Sequence, residues 1–468
     1  MIHKSLGVLA SAGLVLLVSS PPAGAISPPE VDPQVAPPAG SAGPVEAMTQ
    51  RAECVTTGVL PGTDPGAVSP NQLALNLSGA WKHSRGQGQT VAVIDTGVQP
   101  GPRLPHVKGG GDFIESTDGL TDCDGHGTAV AGLIAGQPGP DGFSGVAPEA
   151  QLISIRQNSP RFAPRVPAAD AVQTRAAADV ASLARAVVRA ADMGARVINI
   201  SVVTCVPVDK QIDQTELGAA LRYATVEKDA VIVAAAGNTQ GGVTTGAACG
   251  SNPLADAGAP GDSRNWGGVS SVSIPSWWQP YVLSVGALNA TGQPSGFTMA
   301  GPWVGIAAPG ENITSVSNAP DGGLANALPT DQDKVVPLSG TSYAAAYVSG
   351  VAALVRSKFP ELNARQVVHR LTTTAQGAAR TPSNVIGAGG VDPVAALTWD
   401  VADMPLDGPA APEGKAIAAP PEPAPRDNTG RIVAFAGAGA LALAAIAWAF
   451  LAPRVRTTSS AHRRKEPK

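Results

Sequence analysis

Charged residues make up only 15% of the 468-residue chain and aromatic residues 4%, yet 44% are hydrophobic. That balance excludes a fully disordered chain and leaves enough apolar surface for one large core with segments outside it. Cysteine is rare as well. Cys54, Cys123, Cys205 and Cys249 are all there are, and no CxxC spacing among them suggests a metal site. Internal repeats are missing, which excludes a solenoid. Histidine occurs six times, so candidates for a general base are few. What the chain has in quantity is Gly (54) and Pro (43), as suits a loop-rich α/β enzyme with Pro-rich extensions.

At the start, Lys4 precedes an apolar run from Leu6 to Val18, then Pro21, Pro22 and Ala23-Gly24-Ala25. This pattern predicts a signal peptide over 1–25, cut after Ala25. An uncleaved membrane helix is the alternative, and the run is short for a span of about 20 residues. Near the other end, Ile432 to Ala452 carries no charge and is long enough to cross a bilayer. Arg431 precedes it, and Arg454, Arg456, Arg463, Arg464, Lys465 and Lys468 follow, an excess that should keep the tail (453–468) cytoplasmic and the body on the far side. Residues 26–430 then hold 24 basic and 35 acidic residues, a formal charge of −11. An acidic body excludes nucleic acid as a partner, because phosphate binding needs a basic surface. In an exported, oxidising setting the four cysteines should form two disulfides, with three possible connectivities. The expected pairing is Cys54 with Cys123, tying the N-terminal extension beside the His126 loop, and Cys205 with Cys249, clipping a long insertion.

Between the ends lie a Pro-rich extension (26–70), expected to be extended or loosely wrapped, a main domain (71–400), and a Pro-rich spacer (401–430) before the membrane segment (431–452). Within the domain, buried strands are predicted at Thr90–Ile94, Gln151–Ile155, Arg196–Val203, Ala230–Ala236, Tyr281–Val285 and Val304–Ala307. Val180–Gly194 and Thr215–Lys228 have helical spacing, and each runs directly into one of those strands. Strand after helix after strand implies an α/β fold with a doubly wound, mostly parallel sheet flanked by helices. Functional groups in such sheets gather beyond the carboxyl ends of the strands.

The first strand stops at Asp95, in Asp95-Thr96-Gly97, which alone is also common turn chemistry. Asp124-Gly125-His126-Gly127-Thr128 leads into a small-residue helix, and the flanking glycines give the backbone freedom to place an imidazole in a crowded site. Alone, His126 could as well be a packing histidine. Ser339-Gly340-Thr341-Ser342 opens a second small-residue helix, putting Ser342 near free N–H groups and the positive helix end. A plain N-cap is the competing role. Asn238 follows Gly237 at the end of the strand over Ala230–Ala236, where its amide, with the Ser342 N–H, suits an oxyanion hole.

Together, D-T-G, G-H-G-T, A-A-G-N and G-T-S resemble the four signatures of subtilisin-like serine proteases, in the order Asp, His, Ser. The resemblance runs from about Asn71 to Trp399. A closer similarity is to the mycosins, the membrane-anchored members that serve type VII secretion systems. It is carried by the signal peptide, the Pro-rich extension with its cysteine, the segment Leu73-Ala74-Leu75-Asn76-Leu77-Ser78-Gly79-Ala80-Trp81 and the tail anchor. The resemblance implies a catalytic triad of Asp95, His126 and Ser342, with Asn238 as oxyanion donor. It also implies a peptide bound as an added strand beside Ser201, Val202 and Val203, extended segments of secreted proteins as substrates, and the secretion membrane complex as partner. No motif demands a cofactor or a metal. Tyr343, Ala346 and Tyr347 stand where most of the broad family has Met, Pro and His, and Val202 and Val203 where it has glycines, so its subsites do not transfer. The extension is too short and irregular for a folded inhibitory propeptide and is expected to wrap the domain permanently. Two alternatives remain at this stage: a structural subunit whose proteolysis is dispensable, and a general degradative protease, which tethering to a membrane disfavours.

Overall fold

A computed structural model describes residues 26–240, 249–256, 258–259, 261–330, 334–378, 382–402 and 429–451. The expected signal peptide, the spacer from 403 to 428 and the tail from 452 lie outside these residues. The chain divides into two units, Met1–Met404 and Pro405–Lys468.

In chain order the first unit contains β1 (Met48–Gln50), α1 (Pro70–Ala74), α2 (Leu77–Ala80), β2 (Thr90–Asp95), β3 (Val107–Asp112), α3 (His126–Ala135), β4 (Gln151–Arg156) and β5 (Phe162–Pro164). There follow α4 (Ala171–Asp192), β6 (Val197–Ile200), β7 (Thr204–Pro207), α5 (Thr215–Arg222), β8 (Val231–Ala235) and β9 (Ser271–Ile274). The unit continues with β10 (Val282–Leu288), β11 (Val304–Pro309), α6 (Thr341–Lys358), α7 (Ala364–Thr373) and α8 (Pro393–Thr398). Seven strands form a parallel sheet in the order β3-β4-β2-β6-β8-β10-β11. Beyond β11, Gly389–Gly390 pairs parallel, and Gln376–Gly377 closes the edge antiparallel.

The central strands are largely apolar because both faces of the sheet are covered. Alternate residues part company: Val91 and Val93 join a core with α3 and α6, while Ala92 and Ile94 join another with α4 and α5. One expectation is revised and one sheet strand is additional. The strand foreseen over Arg196–Val203 ends at Ile200, where the Ser201 hydroxyl is drawn to the Ser342 carbonyl at 3.3 Å and the chain leaves the sheet. The edge strand β3, of sequence VKGGGD, was not foreseen, because glycines erase its apolar pattern. They are there for space: a Cβ at Gly110 would lie 2.6 Å from the Ile153 and Ile155 side chains of β4.

α6 is buried from Thr341 to Arg356, so its small residues are needed on every side. At Gly350 a Cβ would lie 2.5 Å from Cβ of Val146. The N-terminal extension is bound along its length. Ile26 and Val31 pack on the α4 side of the core, Arg185 donates to the carbonyls of Ser41 (2.7 Å) and Gly43 (2.8 Å), and β1 pairs antiparallel with β5. Both expected disulfides are present, Cys54–Cys123 and Cys205–Cys249.

In the second unit, α9 (Thr429–Leu451) is a single helix whose described side chains are all exposed. Its segment Thr429–Trp448 is long and apolar enough to cross a membrane.

Candidate functional site

Three chain segments far apart in sequence meet where β2 ends. Asp95 is the last residue of β2, His126 the first of α3, and Ser342 lies in the first turn of α6. His126 Nδ1 is 2.7 Å from Asp95 Oδ1, and His126 Nε2 is 2.8 Å from Ser342 Oγ. All three are buried, at 0%, 1% and 3% exposure, so the contacts are shielded from water. Glycine makes the approach of β2 and α3 possible: a Cβ at Gly127 would sit 2.0 Å from the Gly97 carbonyl oxygen. Gly97 itself has φ +100°, which few side chains tolerate.

Asp95 Oδ1 also accepts the Thr96 N–H at 2.7 Å, which fixes the carboxylate in place. The His126 imidazole then has one arrangement that satisfies both partners, with Nδ1–H donating to Asp95 and Nε2 accepting from the Ser342 hydroxyl. Burial by itself lowers the pKa of His126. The charge of Asp95, the hydrogen bond to it, and the charges of Asp122 and Asp124 outweigh that effect and raise it above its ordinary value of 6.5. Burial drives the Asp124 carboxyl up to about 6, against a hydrogen bond from Ser159. The Tyr343 ring lies 5.2 Å from the His126 ring between centroids, and burial pushes its hydroxyl pKa up, so Tyr343 is a neutral wall of the site.

At the start of α6, Asn238 Oδ1 accepts from the Thr341 N–H and the Thr341 hydroxyl, both at 3.1 Å. This turns the Asn238 amide toward Ser342. A Cβ built on Gly340 would lie 3.1 Å from Ser342 Oγ, 3.6 Å from Asn238 Nδ2 and 3.9 Å from the Ser342 nitrogen. That point marks an open space faced by a hydroxyl and two N–H donors, room enough for an oxyanion. Among the described residues the Ser342 N–H has no hydrogen-bond partner.

Ser201 lies beneath this space, buried, accepting from Asn199 Nδ2 at 2.7 Å and donating to the Ser342 carbonyl. Val202 is buried and Val203 half-buried. Among the described residues, Val202 and Val203 have no backbone hydrogen-bond partner. The geometry thus brings Asp95, His126, Ser342 and Asn238 together, whereas the Ser201 side chain faces inward. Each disulfide adjoins the site: Cys123 is three residues before His126, and the Cys249 N–H donates to the Asn238 carbonyl at 2.8 Å.

Sequence reasoning missed Asp122. Its carboxylate is buried and accepts from Thr96, Thr128 and the turn before α3. The signal was present in Thr121-Asp122-Cys123-Asp124-Gly125-His126, a carboxylate just upstream of a helix whose N-cap, Gly125, has no side chain of its own.

The chain is similar to several known proteins. A sequence model of the subtilase family matches residues 86–389. Mycosin-3 of Mycobacterium tuberculosis (strain ATCC 25618 / H37Rv) is 60% identical over 467 residues, covering 100% of both chains. Mycosin-1 of Mycolicibacterium smegmatis (strain ATCC 700084 / mc(2)155) is 45% identical, covering 96% of this chain and 98% of its own. Among solved structures, the MycP3 protease from the type VII (ESX-3) secretion system is 81% identical, with TM-score 0.77, covering 80% of this chain and 100% of its own. A chain of an intact ESX-5 inner membrane complex is 46% identical, with TM-score 0.78, covering 91% of this chain and 99% of its own.

Proposed function

The chain belongs to the subtilase family of serine proteases and, within it, to the mycosins, and from that premise we propose that Ser342 is its nucleophile, served by His126 and Asp95. The carrying observation is the unbroken contact from Asp95 Oδ1 through both ring nitrogens of His126 to Ser342 Oγ, at 2.7 and 2.8 Å. As the hydroxyl attacks a peptide carbonyl, His126 Nε2 takes its proton. Asp95 holds the ring in that tautomer and stabilises its charged form. The oxyanion enters the space beside Gly340, between Asn238 Nδ2 and the Ser342 N–H. His126 then protonates the leaving amine, and water releases the acyl-enzyme by the reverse proton path. A bound peptide lies extended along the backbone of Val202 and Val203, whose hydrogen-bonding groups are unpaired.

The reading extends to the whole chain. Signal peptide (1–25), wrapped extension (26–70), peptidase domain (71–400), spacer (401–430), membrane helix (431–452) and basic cytoplasmic tail (453–468) make a single-pass protein with its catalytic domain on the extracytoplasmic side. The apolar helix α9 and the cationic residues after it support that orientation. Its substrates are extended segments of secreted proteins, and its partner is a type VII secretion membrane complex like the one that contains the 46% identical chain.

That same relative favours a second reading, a structural subunit that stabilises the complex with hydrolysis dispensable. Ser342→Ala compared with gene deletion separates the two. We expect substrate cleavage to vanish in both strains. Secretion retained by Ser342→Ala but lost on deletion assigns the secretion role to the fold, and cleavage surviving Ser342→Ala overturns the nucleophile.

A further inference from the structure

Resting on the triad reading above, we propose that Asp122 is the positioning residue for His126, one carboxylate that pins the first turn of α3 to the end of β2. Asp122 Oδ2 accepts the Thr128 N–H (2.8 Å) and the Thr128 hydroxyl (2.6 Å). Its Oδ1 accepts the Gly125 N–H (2.8 Å), the Asp124 N–H (3.1 Å) and the Thr96 hydroxyl (2.9 Å). Burial pushes the Asp122 carboxyl above its ordinary value and the charge of Asp95 adds to that, while the hydrogen bonds from Thr128 and Thr96 oppose it; five donors pointing at one carboxylate favour its ionised form. Thr96 Oγ1 in turn accepts the Gly127 N–H at 2.9 Å, and Thr128 Oγ1 accepts the Gln99 N–H at 2.9 Å.

The consequence is geometric. The residues on both sides of His126 are tied to Asp122, Gly125 directly and Gly127 through Thr96. Thr96 also donates its N–H to Asp95 Oδ1, the atom facing His126 Nδ1. The backbone carrying the imidazole and the backbone carrying its carboxylate are therefore fastened to one buried group. Free N–H groups at the start of α3, left without a side-chain cap by Gly125, are satisfied the same way. From behind, Asn318 Nδ2 donates to the Asp122 carbonyl (3.0 Å) and to the Val55 carbonyl (2.8 Å), so the N-terminal extension braces the turn.

Charge gives this role a signature that packing alone lacks. The titratable groups facing His126 are Asp95 at the end of β2, Asp122 and Asp124 in the turn before α3, and the neutral Tyr343 on α6. Asp95 alone of these hydrogen-bonds the ring, so the charge of Asp122 acts through space and favours the imidazolium.

The test uses the full chain in detergent and the rate at which a fluorophosphonate modifies Ser342. In that reaction Ser342 Oγ bonds to phosphorus, its proton passes to His126, and fluoride leaves. Wild type should react and Ser342→Ala should not; an equal rate in Ser342→Ala overturns the triad reading itself. Asp122→Asn, folded by its thermal transition, should react about 10- to 100-fold more slowly and move the acid limb of the rate to lower pH. Thr96→Val keeps the charge, and it should slow the reaction without moving the limb. A folded Asp122→Asn at wild-type rate, or with its limb unmoved, overturns the proposal. If Asp122→Asn does not fold, Thr96→Val decides, and a wild-type rate there overturns it.

Discussion

At the scale of single residues, the site depends on spaces kept open as much as on groups supplied. Gly340 has φ 160° and ψ 158°, an extended backbone that any residue adopts, so Gly340→Ala adds a methyl group with no backbone strain. That methyl would occupy the space between Ser342 Oγ and Asn238 Nδ2. We expect kcat to fall about 100-fold or more while the thermal transition stays near wild type, comparable to losing a donor from the oxyanion hole of subtilisin, itself a family member. A kcat within a few-fold of wild type would place the oxyanion elsewhere. The raised pKa of His126 makes a second prediction. His126 must be neutral to accept a proton, so kcat/KM should climb with pH on a limb whose midpoint lies above 6.5. Stability carries the opposite sign. The favoured imidazolium contributes most below the unfolded value of 6.5, and that contribution is lost as pH rises through the folded value. An activity limb centred below 6.5 would contradict the electrostatics.

At the scale of elements, the second disulfide links the chain just beyond Val203 to the strand end that presents Asn238. Cys205 lies in β7, two residues after Val203, and Cys249 donates its N–H to the Asn238 carbonyl. A Cβ at Gly237 would lie 2.7 Å from Cys249 Sγ and 3.4 Å from Cys205 Sγ, so the disulfide packs directly on the strand end that presents Asn238. The bond closes 44 residues of sequence, a length for which cross-linking contributes about 2–4 kcal/mol. Replacing both cysteines with serine should lower Tm and also lower kcat at temperatures where the domain stays folded. Loss of stability with kcat unchanged would leave the disulfide a staple with no bearing on Asn238.

At the scale of the whole molecule, the extension behaves as part of the domain. It packs the partly buried Ile26 and Val31 against the core, adds β1 to β5, and joins the turn before His126 through Cys54–Cys123 and through Thr57, whose N–H and hydroxyl both reach Asn318 Oδ1, at 2.9 and 3.3 Å. Removing residues 26 to 70 should therefore lower thermal stability without raising activity, in assays matched for folded protein. A large gain in activity would show instead that the extension restrains the enzyme.

The alternation of strand and helix, the parallel sheet, the four motif residues at strand ends and helix starts, and the apolar helix near the C-terminus are all legible in the amino-acid order. Those features rest on local patterns: runs of β-branched residues, helical spacing, and glycines around Asp95, His126 and Ser342. Tertiary structure alone decided what depends on atoms distant in sequence. The glycines of β3 had no apolar pattern, because their purpose is the close approach of Ile153 and Ile155. Ser201, read as part of a peptide-binding edge, turns inward because the Ser342 carbonyl, 141 residues away, accepts its hydroxyl. Asp122 passed unnoticed for the same reason. A carboxylate beside a turn is ordinary in sequence, and only the folded chain gathers Thr96, Gly125 and Thr128 around it.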